Sequence, residues 1–403
     1  MAEKFSDTEW KKIHTFMDKN GEQYGLPKKS KQSVVIGSFN IRKLGSLKNS
    51  KGKASRSKGA WEFLAKTAER FDLLGVQEIL DSVDGLNYLK GLMGKEFGMV
   101  VSDTTGKKPG GAGMTERLGF LFNWKRVNRT EVASDISYDR SEIAGNLFEN
   151  REEFWKSFDE YANKLSKWEA KCIERKAARK KRPAKPTMKL PHFLTFIRQP
   201  HCASFEIGKK NPYRILAVNA HLLYGNYPEE RRMEFFAIID WLINRAKKAE
   251  TMYHPNILFM GDCNLEFKNP AVERPKIDSF IKSLNKKELR SKKSAKINFP
   301  FLDPHPTHGL FKTNARQTET FDQMCIIAND KRLPGYKKNS VAKDSGDDYN
   351  YGMFNFVDLF SNALFEKDFL DLPTKSDRKK LIKKFEHDVS DHMPIWIRLP
   401  IPK

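Results

Sequence analysis

The sequence predicts a layered α/β fold, and three observations carry that prediction. Nine short apolar runs are of strand length and are bounded by polar residues, glycine or proline. Segments with helical periodicity fall between several of them. The composition, 39% hydrophobic and 12% aromatic over 403 residues, supports one large domain with an insertion, or two domains.

Residues 1–30 read as an N-terminal helical arm. Ser6, Asp7, Thr8 and Glu9 fit a capping box, and Trp10, Ile13, Phe16 and Met17 then share one helix face. Gly25-Leu26-Pro27 ends that helix. The strand candidates follow as "SVVIGSFNI" (33–41), "FDLLGVQEI" (71–79), "GMVVSD" (98–103), "ERLGFLFN" (116–123), "HFLTFI" (192–197), "RILAVNAHL" (214–222), "NILFMGDCN" (256–264), "FDQMCIIA" (321–328) and "MPIWIRL" (393–399). Helices are expected at 58–70, 229–249 and 276–285.

The body, 31–403, is interrupted at 128–190 by a segment of different character. Within it Phe154, Phe158, Tyr161, Leu165, Trp168 and Cys172 alternate steps of four and three, which is a heptad seam. It runs into the basic stretch "ERKAARKKRPAKP" (174–186). The expectation is a protruding basic helix or hairpin, packed on its own domain or offered to a protein partner.

Charge narrows the class of partner. The chain carries 73 basic and 51 acidic residues, a net +22. Small domains ordinarily carry a net charge of about 2–8, so a polyanion such as nucleic acid is indicated. Cys172, Cys202, Cys263 and Cys325 form no CxxC motif. The N-terminus has no apolar signal run, and no stretch approaches the roughly 20 apolar residues of a membrane span. Free thiols and a cytoplasmic location are therefore expected.

Most of the apolar runs end in a polar residue with nameable chemistry. Asn40 follows "SF", Gln77 and Glu78 follow "GV", Asn219 and His221 lie in "AVNAHL", and Asp262 and Asn264 in "GDCN". Asp322 lies in "TFDQ", and Asp391 and His392 in "VSDH". A polar group at the end of a buried strand is costly unless it is satisfied or used, so repetition of the pattern points to strand ends meeting at one rim. Carboxylates and carboxamides without a Cys/His cluster suit a hard cation such as Mg²⁺, with Mn²⁺ or Ca²⁺ as substitutes. Two histidines near carboxylates suit general acid–base work.

The ordered set "SFNIRKLG", "GVQEILDS", "TERLGFLFNWKRV", "FIRQP", "AVNAHL", "MGDCN", "TFDQMCII" and "VSDHMP" resembles the endonuclease/exonuclease/phosphatase superfamily, and within it the deoxyribonuclease I-like nucleases. The resemblance covers about residues 33–127 and 192–399. It implies a four-layer αββα sandwich and roles for each matched position. Glu78 and Asn40 would hold the metal, with Asp391 joining its shell. His392 would be the general base, oriented by Asp322, and His221 the general acid, oriented by Glu116. Asp262 and Asn264 would hold the scissile phosphate, the metal or the attacking water. Asn219 falls among the substrate-binding positions, and Arg198 and Arg42 match phosphate contacts. His221 stands where abasic-site repair members carry tyrosine, while Leu80 and Met114 replace an arginine and a tyrosine of the family pattern.

The expected activity is Mg²⁺-dependent phosphodiester hydrolysis, as an endonuclease on double-stranded DNA. Two alternatives stand beside it: a phosphatase or phospholipase of the same superfamily, and a nucleic-acid-binding module that has lost turnover.

Overall fold

Burial of whole strands is what the apolar runs dictate, and the computed structural model shows it. Residues 4–106, 115–225, 228–247, 254–265, 297–330, 332–333 and 350–402 are described, with Pro275, Ser279 and Lys282 as single positions. Strand β1 (Ser33–Leu44) is buried over its first nine residues, because its two faces meet helices on one side and a second sheet on the other.

The first sheet also contains β2 (Leu73–Leu80), β3 (Phe97–Val101), β4 (Glu116–Asn123), β11 (Tyr351–Met353) and β12 (Ile395–Pro400), in the order β11-β12-β1-β2-β4-β3. The second holds β5 (Val127–Asp135), β6 (His201–Ile207), β7 (Tyr213–His221), β8 (Asn256–Asp262), β9 (Ile297–Asn298) and β10 (Asp322–Ile327), in the order β5-β6-β7-β8-β10-β9. Pairing is antiparallel except for β1 with β2 and β7 with β8. The sheets pack face to face through β1, β2 and β4 on one side and β7 and β8 on the other.

Helices α1 (Asp7–Asn20), α2 (Lys58–Ala68), α3 (Asp84–Met93), α7 (Phe356–Phe365) and α8 (Lys375–Asp388) cover the first sheet. Helix α6 (Pro228–Lys247) covers the second through Phe235, Ile238, Ile239, Leu242 and Ile243. The result is the expected four-layer αββα sandwich. The four cysteines are free thiols, three of them buried. Among the described residues no helix is long and apolar enough to cross a membrane.

Several expectations are corrected. The N-terminal segment is no free arm. Its capping box forms as read, but Phe5, Trp10, Ile13 and Met17 are buried, and Trp10 packs edge-on against Phe360. Asp388 ties the layer together: its carboxylate accepts from Phe5 N at 3.2 Å and from Ser57 N and Oγ at 2.7 Å.

The insertion begins later than 128, because residues 127–135 form edge strand β5. Only Val127 of that strand is buried, so it lacked the apolar signature of its neighbours. The helical part comprises α4 (Arg140–Glu149) and α5 (Arg151–Ala177). Its heptad face is covered by the chain's own extended return: Trp168 Nε1 donates to Pro183 O at 3.0 Å, and Ser157 Oγ donates to Lys189 O. The run 192–197 is irregular rather than a strand. Of the helix expected at 276–285, only Ser279 and Lys282 are among the described residues, and both are helical.

Candidate active site

The parallel pairing of β1 with β2, and of β7 with β8, puts the C-terminal ends of four strands on one rim. A register shift follows Asn40 in β1 and Val76 in β2, and Glu78 adopts a left-handed φ of 59°. Such a bulge re-aims a side chain at a sheet edge. Here it turns Glu78 toward Asn40, whose Nδ2 donates to Glu78 Oε1 at 3.3 Å. Lys43 N donates to the other carboxylate oxygen at 3.0 Å.

In the second sheet His221 and Asp262 are paired neighbours on β7 and β8. Gly261, with φ 151°, precedes Asp262; a Cβ there would run into the Ala220 carbonyl. Only glycine allows this close crossing. Asn264 takes a left-handed φ of 50°, its backbone N donates to Asp262 Oδ1 at 2.9 Å, and its Nδ2 donates to Leu222 O at 2.9 Å. Glu78 and Asn264 thus hold sparsely populated backbone at the same rim, as functional sites often do.

Asp262 Oδ2 is the meeting point. Asn40 Nδ2 donates to it at 3.0 Å, and His221 Nε2 and His392 Nε2 each lie 3.5 Å away. Each imidazole is backed by a second carboxylate: His221 Nδ1 lies 2.7 Å from Glu116 Oε1, and His392 Nδ1 lies 2.9 Å from Asp322 Oδ2. All of these side chains are buried.

Electrostatics follow from the arrangement. Burial pushes Asp262 up, but the two imidazoles and the Asn264 and Asn40 donors more than offset it, leaving its pKa below the ordinary value. Burial raises Asp322, with help from the Asp262 charge. Burial opposes the charged form of His392, yet Asp322 and Asp262 hold its pKa well above that of free imidazole. For His221, burial and then the Arg198 charge push down, and Glu116 and Asp262 leave it raised overall.

The chain offers oxygen donors for a cation. Asn40 Oδ1 is buried and accepts no hydrogen bond, although its amide group faces Glu78 and Asp262. One ligand atom from each of Asp262, Asp322 and His392 also lies within 4.8 Å of the others. An orphaned carboxamide oxygen beside a carboxylate fits a hard divalent ion.

Four assigned residues stand elsewhere. Asn219 lies between the sheets: its Nδ2 donates to Val76 O and Gly119 O at 3.0 and 2.8 Å, and Gln77 Nε2 donates to its Oδ1 at 2.6 Å. It locks the layers, with Gln77 as its brace. Arg42 is paired to Asp391 and Glu386, at 3.5 and 3.6 Å, and donates to Glu386 O. This fixes the end of α8 and turns Asp391 toward an arginine. Arg198 is buried, ion-paired to Glu116, and donates to Leu222 O at 3.1 Å. Its charge acts on the Glu116–His221 pair, where a phosphate contact had been expected. Met114 lies outside the described residues.

Two site-building residues carried no role in the sequence reading. Ser390 Oγ donates to Asn40 O at 2.6 Å and accepts from His392 N and Arg42 N at 3.2 Å, so it joins the two ends of the candidate set. Its place within "VSDH" was the available signal. Glu234 of α6 accepts from Ile197 N at 2.7 Å and Leu223 N at 2.6 Å, clamping the segments that carry Arg198 and His221. A glutamate on an amphipathic helix gave no sign of this.

No family model and no curated protein matches the chain. Among solved structures it is similar to an endonuclease/exonuclease/phosphatase family protein from Bacteroides thetaiotaomicron, at 12% identity and a TM-score of 0.44, covering 92% of this chain and 95% of that one. It is also similar to TDP2 from D. rerio complexed with a single-strand DNA product, at 13% identity and TM-score 0.45, covering 91% and 98%. A third is the human Nocturnin catalytic domain with bound sulfate, at 11% identity and TM-score 0.40, covering 91% and 94%.

Proposed function

We propose that the chain is a metal-dependent phosphodiester hydrolase of the endonuclease/exonuclease/phosphatase superfamily, acting on nucleic acid as a DNA endonuclease. One observation carries this reading: Asp262 Oδ2 sits 3.5 Å from the Nε2 atoms of two imidazoles, each backed by its own carboxylate. A single buried histidine–carboxylate pair is common structural furniture. Two converging on one carboxylate match a reaction that needs a proton removed on one side and delivered on the other.

His392 Nε2 would take a proton from a water as the water oxygen bonds to phosphorus. His221 Nε2 would give a proton to the leaving oxygen as the old P–O bond breaks. Asp322 and Glu116 fix the tautomers that expose Nε2 on each ring. Asp262 keeps the two imidazoles in line and favours their charged forms. Glu78 and Asn40 Oδ1 would hold a divalent cation, Mg²⁺ being the natural choice for oxygen donors, and such an ion supplies charge neutralisation on a phosphoryl oxygen. The net charge of +22 favours a polyanionic substrate over a small phosphate ester.

The test is digestion of supercoiled, linear and single-stranded DNA by the full chain, with Mg²⁺ or with EDTA. Nicking in Mg²⁺ that EDTA abolishes is the expected result. DNA left intact in Mg²⁺, Mn²⁺ and Ca²⁺ alike overturns the reading.

A further inference from the structure

Helix α5 is 27 residues long, so it extends about 40 Å at 1.5 Å per residue. Phe154 is its one buried residue, and that ring packs against His192. The base is fixed further by Asn146 Nδ2, which donates to Phe193 O, and by Tyr138, whose ring meets Phe193 at 5.3 Å. Five residues after Phe193 comes Arg198, paired to Glu116 of the site. The arm therefore stands on the segment that enters the catalytic rim.

Its far end is cationic without relief. From Arg175 to Leu190 there are eight lysines and arginines and no acidic residue, and those eight are exposed or half-exposed. Three of them are held in place. Arg182 and Lys185 sit over the Trp168 ring at 4.5 and 5.6 Å, Trp168 Nε1 donates to Pro183 O, and Arg175 Nη1 donates to Lys181 O. Pro183 and Pro186 favour an extended return. Two of the eight, Arg175 and Lys176, close the helix, and the other six lie on the segment that follows it. Like charges so concentrated repel one another unless a polyanion neutralises them.

We infer that the α5 arm and its return segment form a docking surface for the phosphate backbone of duplex nucleic acid, away from the bond that is cut. A lipid surface fits less well: beyond Ile173 the tip exposes no large apolar side chain to anchor in a bilayer. The inference rests on the nucleic-acid reading of the site and adds to it that the preferred substrate is a long duplex.

The test uses a variant in which Lys176, Arg179, Lys180 and Lys181 are all changed to Gln; no side-chain hydrogen bond, ion pair or ring contact of these four supports the arm. Binding of a fluorescent duplex of about 40 bp is followed by anisotropy in EDTA as salt is varied, so that no turnover is needed. At about 0.9 per lost phosphate contact, the slope of log K against log salt should flatten by roughly 2–4, with a tenfold or greater loss of affinity at moderate salt. Changing the three lysines among them to Arg should leave the slope as it was, and circular dichroism should show the fold intact. Hydrolysis of bis(p-nitrophenyl) phosphate in Mg²⁺ should be equal in all forms. An unchanged duplex affinity and slope overturns the inference, and so does a wild-type chain that binds phosphatidylserine vesicles and not DNA. A wild-type chain that binds duplex with the expected slope but never hydrolyses the small diester leaves the arm in place and removes the hydrolase reading.

Discussion

The two imidazoles of the site are built alike and differ in what stands behind their carboxylates. His392 is backed by Asp322, which has no cation paired to it among the described residues, and His221 is backed by Glu116, which it shares with Arg198. Both rings gain proton affinity from their carboxylates, but Arg198 takes part of that gain away from His221. On the proposed mechanism, the difference teaches how one motif, a carboxylate-backed histidine, would yield two roles. The ring with the greater proton affinity is the better base, and the ring held lower is the better acid. His392 must lose a proton before it can act as the base, so hydrolysis in Mg²⁺ should rise with pH on its acid side.

Breaking either half outright gives the largest effect. His392→Ala and His221→Ala should each lower kcat by a factor of about 10²–10⁴, with duplex binding retained in EDTA. Anisotropy measured beside plasmid nicking checks this, and near-normal cleavage by either variant would remove that histidine from the mechanism.

Shifting the balance gives a smaller and more informative effect. Glu116→Gln removes a group that raises His221, so the alkaline limb of the pH–rate profile, where the acid loses its proton, should move to lower pH. Arg198→Gln removes a group that lowers it, and the limb should move to higher pH. Opposite displacements are the signature. Limbs that move together, or stay put, would mean that the Arg198–Glu116 pair only props the loop.

The smallest effect belongs to the clamp behind His221. Burial pushes Glu234 up to about 7, against the two backbone donors that favour its charge. A native carboxyl that keeps its proton above the unfolded value means the folded chain binds more protons between about pH 4.5 and 7. Stability should therefore fall as pH rises through that window. Glu234→Gln should flatten this decline in urea unfolding curves, and an unaltered slope would place the titration elsewhere.

How far the sequence revealed this depends on what each residue touches. Strand ends were legible because apolar runs reach a polar residue at Asn40, Glu78, His221 and Asp262 and start from one at Asp322, and a buried polar group at a strand end requires a partner or a task. Asn219 carried the same signal and has the other explanation: two sheets meet there, and two backbone carbonyls with Gln77 satisfy it. Arg42 and Asp391 looked available because their partnership spans some 350 residues, and only folding reveals it. Strand β5 escaped notice because an edge strand with one buried residue has no apolar run to show. The heptad of α5 is legible as a seam, but what lies on it, a proline-containing return, has no helical period of its own.

The unequal proton affinity of the two rings can be measured without metal, substrate or turnover. Nitrogen-15 NMR titration of the nine histidines in EDTA, with the two site resonances assigned through His221→Ala and His392→Ala, reports each ring directly. Both should titrate above free imidazole, His392 higher than His221. A His392 that titrates at or below His221 would contradict the division of labour described here.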